Sequence, residues 1–502
     1  IEAAPAKADH PSARVADRKD DPTVEAVIKA ARVGSGHDTR GHHQIGLDAD
    51  IWLTPMPDRR LSKGERENMS ATNIARSDWM DVDERKLELM GGLCRELVRR
   101  AEDPFRLTLT TDPLSALAGA DHVVTTIRPG FEQGRVLDER IALDHGVLGQ
   151  ETTGAGGFSM ALRSIPVLLE YARLLKELSP QAWMFNFTNP AGLVTQALRD
   201  AGFARTVGIC DSGNTAQAAV AKWAGVEPRS IRAQVFGLNH LSWCRHAWQG
   251  DEDLLPRAMA DERFLQEHQP VFEPALVRHA GMFLNEYLYY YYYADKALEA
   301  VRAEKRTRGE EILYLNQRLI AQLEEIRVER DPERALRTFF GYEKRRNATY
   351  MQYAHEGHAE IVEQLFDADI PAEAGEGYAG VALSIIKALS SGVEINTALN
   401  VPNEGAIPGM VFEDVVEVSC RVDGNGIHPL QMDEIQPAQL GLMRSVKLYE
   451  TLAVQAVRER SRKLAIDALM AHPLVQSYSR AKPLVEALLA AHKEYVGEWK
   501  DK

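Results

Sequence analysis

The side chains with the most chemistry in this chain stand at the ends of apolar runs. Cys210 and Asp211 close RTVGICD, and His240 closes VFGLNH. A thiolate and a neutral imidazole are both competent metal ligands, and two protein donors would leave coordination positions open for substrate oxygens. A lone buried Cys is also ordinary core, and a lone His after a strand is often a satisfied hydrogen-bonding group. Spacing leaves both readings standing. Asn186 and Asn189 close AWMFNFTNP, Arg128 follows DHVVTTI, and Asp112 closes RLTLTTD. Asp81 and Asp83 in WMDVDER fall where a dinucleotide fold holds the adenosine ribose with a carboxylate, or where a helix takes its cap. Asp81, Asp83, Arg128 and Asn186 are therefore the cofactor-binding candidates.

Two further stretches carry groups that could react. LNEYLYYYYYADK places six tyrosines between Tyr287 and Tyr293. Such runs mostly pack, but one phenol could act as a base if a nearby cation lowered its pKa. RTRGEE offers Arg308 either as a solvated helix start or as an anion ligand. No nucleophile elbow, phosphate-binding Walker loop or HExxH motif occurs.

Residues of this kind need a scaffold that gathers strand ends. From about Asp81 the text alternates helix and strand. DERKLELMGGLCRELVRRA and SMALRSIPVLLEYARLLKELSP have apolar residues at helical spacing, while RLTLTTD, DHVVTTIR, AWMFNFTNP and RTVGICD read as strands. That rhythm predicts an α/β fold with a parallel sheet, and such sheets bind ligands outside the carboxyl ends of their strands. After about residue 235 longer helices with a few strands predict a second, α+β lobe. Residues 1–76 differ from the rest, being rich in Arg, Asp, His and Pro. Their GSG at Gly34–Gly36 lies much further before Asp81 than the roughly 20 residues usual between a dinucleotide fingerprint and its acid.

The chain has 502 residues and a formal net charge of −14, which argues against nucleic acid as a partner. A small phosphorylated ligand remains compatible, since it needs only a few local cations. Four widely spaced cysteines, with no CxxC pair, fit a reducing compartment. No signal peptide and no apolar run long enough to span a bilayer is apparent, so the expectation is a cytoplasmic protein without membrane contact.

GQETTGAGGFSMALRSIPVLLEYARLLKELSPQAWMFNFTNPAGLVTQAL, VGICD, FGLNHLSW, NVPNEGAIPG and VDGNGIHPL together resemble glycoside hydrolase family 4, the NAD- and divalent-metal-dependent glycosidases. The resemblance covers roughly residues 81–499. Within the family, FLNEYLYYYYY and TRGEEILYLN look most like the 6-phospho-β-glucosidases. It implies a Rossmann-like domain of the lactate/malate dehydrogenase type over residues 77–235 and a C-terminal α+β catalytic domain over 236–502. Residues 1–76 then stand where the family opens with a strand and a glycine-rich turn, as an atypical replacement.

The resemblance also implies a reaction. NAD removes hydride from C3 of the sugar, a base takes the acidified C2 proton, the aglycone leaves by elimination, and water addition and hydride return complete the cycle. Cys210 and His240 become the metal ligands, with Mn²⁺ the usual ion, although a thiolate alone would suggest zinc. Tyr287 becomes the C2 base and Glu151 the group that raises its basicity. Arg135, Asn189 and Arg308 match substrate-binding positions. Asp211 matches a proton donor of the 6-phospho-α-glucosidase branch, which leaves the anomeric preference open. The implied substrate is a small phosphorylated disaccharide or glucoside, and the implied assembly a homodimer or homotetramer. Alternatives are an unphosphorylated α-galactoside or α-glucoside as substrate, a non-catalytic sugar-phosphate-binding relative, and a plain 2-hydroxyacid dehydrogenase.

Overall fold

The structure is a computed structural model that describes residues 76–101, 105–354, 366–371 and 378–501. The GSG turn and the expected replacement segment lie, but for residue 76, outside the described residues. The chain enters on β1 (Arg76–Met80), crosses through α1 (Glu84–Arg100) and returns as β2 (Arg106–Thr110), parallel to β1. These strands form a two-stranded sheet of their own. Asp83 starts α1, its carboxylate accepting from the Lys86 N–H at 3.1 Å, and Arg99 and Arg100 complement the dipole in the last turn.

A second sheet carries the remaining ten strands. Its parallel half is β3 (His122–Thr125), β4 (Trp183–Asn186) and β5 (Thr206–Gly208), linked through α2 (Phe131–Asp144), α3 (Gly154–Leu178) and α4 (Ala191–Asp200). After α5 (Thr215–Ala224) comes the hairpin of β6 (Ile231–Leu238) and β7 (Leu241–Gln249), with the short strands β8 (Glu252–Asp253) and β9 (Phe283–Leu284) on β7. Two long helices follow, α6 (Arg308–Ile326) and α7 (Pro332–Ala348). β10 (Ile395–Pro402) then pairs antiparallel with both β5 and β11 (Val415–Asp423), and β12 (Gly426–Pro429) flanks β11. β11 in turn pairs with β6. The parallel and antiparallel halves are thus one continuous sheet, and the expected boundary at 235/236 falls inside β6.

This is a mixed α/β architecture with a parallel sheet, as the alternation of strand and helix predicted. At the centre of the parallel half, β4 is a short run covered on both faces: Met184, Phe185 and Asn186 are all buried. The main core runs from α2 and α3 through the sheet to α8 (Pro437–Glu459). A separate core joins α1 to α6 and α7 through Leu93, Leu97, Leu319, Leu323, Leu336 and Phe339, with Trp79 and Leu107 of the small sheet packed against it. Among the described residues no strand lies between β1 and β3 to unite the two sheets, and Val124 on β3 is 47% exposed.

The start of α3 is shaped for close packing. A Cβ on Gly156 would collide with the carbonyl oxygen of Gln150, and one on Gly157 with the carbonyl of Thr152. Only glycine lets the helix press against the loop that carries Glu151. Further along, Arg163 donates from Nη1 and Nη2 to Asp138 at 2.9 and 2.7 Å, and Ser159 and His492 reach the same carboxylate at 2.6 and 2.7 Å. Burial would raise the Asp138 carboxyl, but Arg163 and His492 outweigh it and hold the group below the usual range. This network ties α2 to α3 and to the C-terminal helices. Removing one partner of such a buried pair costs about 3–5 kcal/mol. Asp138→Ala is expected to lose that much in urea unfolding, whereas a loss within 1 kcal/mol of zero would show that the network contributes little.

Candidate active site

Cys210 and His240 approach one another from the two halves of the continuous sheet. Cys210 follows β5. His240 sits in the two-residue turn of the β6–β7 hairpin, where Leu238 pairs with Leu241. Such turns need left-handed backbone, and His240 accepts φ of 61° there. The thiol sulfur and Nε2 of His240 are 3.3 Å apart. Nδ1 of His240 lies 2.9 Å from the Thr152 hydroxyl, and Ser212 Oγ lies 3.1 Å from the sulfur. Both side chains are buried. Burial brings His240 down to about 3, so its imidazole is neutral. Burial first, then Asp211 and Glu417, push the Cys210 thiol up.

Tyr287 lies flat on His240, the ring centroids 3.8 Å apart and the planes within 4°. It is fully buried. Its N–H is held by Asn285 Oδ1 at 3.0 Å, and Asn285 Nδ2 donates to Ser212 and Ser242, each at 3.2 Å. Burial and the charge of Glu286 hold the phenol well above its usual range, with Cys210 and Glu151 adding to the effect. Glu151 is itself clamped between two buried guanidinium groups: it pairs with Arg128 and with Arg135 Nη1 at 2.8 Å. Arg135 also donates to Glu139 at 2.8 Å. Arg308, at the first position of α6, donates to the Thr349 hydroxyl and, at 2.9 Å, to the Arg346 carbonyl. Burial and the neighbouring charges of Arg346 and Arg135 bring its guanidinium down to about 10.

Cys210, His240, Tyr287, Glu151, Arg135, Arg128 and Arg308 therefore form one connected group. Asp211 adjoins it, with Oδ1 3.8 Å from the Cys210 sulfur. Asn189 is buried, accepting from the Ala191 N–H at 3.3 Å. Asn186 is different. Its amide donates to Thr188, Ala191 and Thr195 and accepts from Thr125 and Thr188. Its hydrogen-bonding capacity is spent on the β4 turn rather than offered to a cofactor. Asp81 and Asp83 follow β1 of the small sheet, in the turn into α1. Asp81 accepts from the Asp83 N–H at 2.8 Å, and Asp83 caps α1, so one oxygen of each carboxylate serves the local turn.

Several groups here carry no signal in spacing. Thr152 and Ser212 directly follow Glu151 and Asp211, and adjacency could have found them. Glu286, half-buried beside Tyr287, accepts from the Tyr350 hydroxyl at 2.9 Å. Burial raises its carboxyl to about 7. Glu417 is buried behind Cys210, accepting from Ser242, Asn239 and Asn400 at 2.7, 3.2 and 3.4 Å, and burial raises its carboxyl too. Glu417 lies on β11 and its partners on β7, on β10 and in the β6–β7 turn, distant in the chain.

The thiol and neutral imidazole are close enough to face one ion, and their chemistry fits a divalent transition metal. Among the described residues no cluster of three His, Cys, Asp or Glu completes a fully protein-made cage. A cation held by Cys210 and His240 would thus keep open positions. For a dinucleotide, the described residues offer the carboxylate end at Asp81 and the strand ends beyond β3 to β5.

A thiol at the end of a parallel strand, a neutral imidazole from an antiparallel hairpin turn and a buried phenol, brought together on one mixed sheet, define an α/β enzyme with metal-binding and acid–base groups. The family 4 glycosyl hydrolase model matches residues 64–226, and the model of that family's C-terminal domain matches 235–475. The chain belongs to glycosyl hydrolase family 4. A separate model, penicillin-insensitive murein endopeptidase, matches residues 23–102.

The chain is 28% identical over 439 residues to the 6-phospho-beta-glucosidase BglT of Thermotoga maritima, covering 87% of this chain and 96% of that one. It is 28% identical over 408 residues to the phospho-alpha-glucosidase PagL of Clostridium acetobutylicum, covering 78% and 84%. Its fold is similar to the solved 6-phospho-beta glucosidase of Thermotoga maritima with manganese, NAD+ and glucose-6-phosphate. The TM-score there is 0.70 at 27% identity, with 85% of this chain and 93% of that one covered.

Glu286 makes a pH prediction. Its folded pKa of about 7 exceeds the ordinary 4.5, so between those values the folded protein keeps a proton that the unfolded chain releases. Stability then falls as pH rises through that window. Discounted for partial exposure, the effect is about 1–2 kcal/mol. Glu286→Gln, measured by urea unfolding against the parent protein, is expected to gain that much at pH 8 relative to pH 5. An equal difference at both pH values would refute the assignment.

Proposed function

We propose that this chain hydrolyses 6-phospho-β-glucosides through an NAD-dependent oxidation, elimination, addition and reduction cycle. The observation that supports this most is the stack of Tyr287 on His240, with Cys210 at one edge and the Glu151–Arg135 pair nearby. When bound, NAD would supply reversible hydride removal at C3, and a divalent metal, Mn²⁺ on the precedent of the relatives, would polarise the neighbouring sugar oxygens. Cys210 and His240 would hold the metal. Asp81, Asp83 and Arg128 would contact the dinucleotide.

The chain's own groups carry the proton transfers. Tyr287 takes the C2 proton, and the bond from the anomeric carbon to the aglycone oxygen breaks by elimination. Burial keeps the phenol protonated in isolation, so its deprotonated form calls for a cation at the neighbouring Cys210 and His240. Glu151 makes the resulting phenolate a stronger base, while Arg128 and Arg135 keep that carboxylate ionised in a buried place. Asp211, at the rim, gives a proton to the departing oxygen. Arg135, Asn189 and Arg308 orient the sugar. The enclosure of the stack excludes bulk water from the reacting face.

The β preference rests on the tyrosine run and the TRGEE segment. A 6-phospho-α-glucosidase is the second reading, favoured by Asp211 beside Cys210 and by relatives such as PagL. The test begins with calorimetric titration of the reduced protein with NAD⁺ in the presence of Mn²⁺. No binding at millimolar NAD⁺ would move the reading to a non-catalytic sugar-phosphate-binding relative. Given binding, initial rates on nitrophenyl α- and β-glucosides, with and without a 6-phosphate, rank the substrates. The expected order puts the 6-phospho-β-glucoside first, with no NADH left at the end, whereas NADH rising in proportion to substrate would indicate a dehydrogenase. Tyr287→Phe is expected to lower kcat by about 10²–10⁴-fold with little change in KM. It should also abolish exchange of the C2 proton with deuterated solvent. Retained exchange would remove Tyr287 from the role of base.

A further inference from the structure

Among the described residues near the candidate site, Arg346 presents an unsatisfied guanidinium edge. Arg346, in the last turn of α7, is 4% exposed. Its Nε and Nη2 are buried and make no hydrogen bond to the described residues. The N–H groups of those two nitrogens point the same way and form the edge of a guanidinium that matches two oxygens of a carboxylate or phosphate. A buried guanidinium with that edge empty is unfavourable unless an anion completes it.

The surroundings restrict which anion that is. The carbonyl of Arg346 accepts from Arg308 Nη2 at 2.9 Å and from Thr349 Oγ1 at 3.0 Å, so the two arginines are fastened together. Arg135 is near enough that its charge, with that of Arg346, acts on Arg308. The groups that offset this on Arg308 are the phenols of Tyr350 and Tyr342. Glu132, which also acts on Tyr342, is engaged by Asn316 at 2.8 Å and by Lys86 at 3.7 Å. Arg135 already has Glu139 and Glu151. Two remaining cations, one with an open bidentate edge, suit a compact dianion better than a monoanion.

We propose that the Nε–Nη2 edge of Arg346 binds the C6 phosphate of the sugar, with Arg308 alongside, and that Arg346 sets the preference for phosphorylated over unphosphorylated glucosides. This rests on the reading of the site as one for phosphorylated glucosides, and it assigns the discrimination to one residue. It also separates stability from binding. In the ligand-free protein Arg346 is a buried unpaired charge, so its replacement by an apolar group of similar length stabilises the fold while it weakens the ligand.

The experiment compares the parent protein with Arg346→Met and Arg346→Lys. Glucose 6-phosphate, glucose and inorganic phosphate are each titrated calorimetrically, and ligand-free thermal unfolding is recorded for all three proteins. The parent is expected to bind glucose 6-phosphate well and glucose barely. Arg346→Met should bind glucose 6-phosphate about 10–100-fold more weakly, on the scale of charge-assisted hydrogen bonds lost, and should unfold at a higher temperature than the parent. Arg346→Lys, which keeps the charge without the fork, should recover only part of the affinity.

Equal glucose 6-phosphate affinity in parent and Arg346→Met would overturn the role of Arg346 while leaving the phosphorylated-substrate reading in place. A parent that binds glucose as tightly as glucose 6-phosphate would overturn both. If Arg346→Met fails to fold, the ligand-free guanidinium was stabilising and the proposal falls on that ground. Arg346→Lys still reports whether the fork matters, full affinity there counting against it.

Discussion

The site depends on a neutral imidazole kept flat against a buried phenol. His240 can hold that place only because a two-residue hairpin turns it inward with left-handed backbone. Tyr287 can meet it only because Asn285 fixes the start of the tyrosine run. Desolvation drives both groups to their uncharged forms. Without a cation the stack is a quiet piece of core, which is how its residues read when met singly. A positive charge beside the sulfur would change the preferred state of thiol and phenol together.

The supporting polar network explains how so many buried charges coexist. Glu151 is compensated by Arg128 and Arg135, and Asp138 by Arg163 and His492. Glu417, by contrast, is surrounded by neutral donors from Ser242, Asn239 and Asn400, an environment in which a carboxyl is more easily protonated. Two kinds of buried acid thus lie close together: one held ionised by guanidinium groups, one eased toward neutrality. Acid–base sites use this separation to give similar side chains different work.

Much of this was legible before any coordinates. Strand ends can be located from apolar runs, so the positions of Cys210, Asn189 and Asp211 just after strands are legible in the chain, and the parallel sheet follows from the helix–strand rhythm. The pairing of β10 and β11 with both β5 and β6 was not legible, because antiparallel addition across two hundred residues leaves no periodicity in the chain. Residues delivered by that pairing, such as Glu417, were missed for the same reason. Asn186 shows the opposite failure: a polar residue at a strand end looks available, and only the geometry shows its amide saturated by Thr125, Thr188, Ala191 and Thr195. Arg346 has no sequence signal at all, since RRN at a helix end ordinarily faces solvent.

The second hydrophobic core has a mechanical meaning. Leu93 and Leu97 of α1, Leu319 and Leu323 of α6, and Leu336 and Phe339 of α7 are packed into one unit, on which the small sheet that precedes Asp81 also rests. Interiors packed this densely move as bodies rather than deform. The strand that leads into Asp81 and the helices that carry Arg308 and Arg346 therefore rest on one rigid body, which fixes the spacing between them.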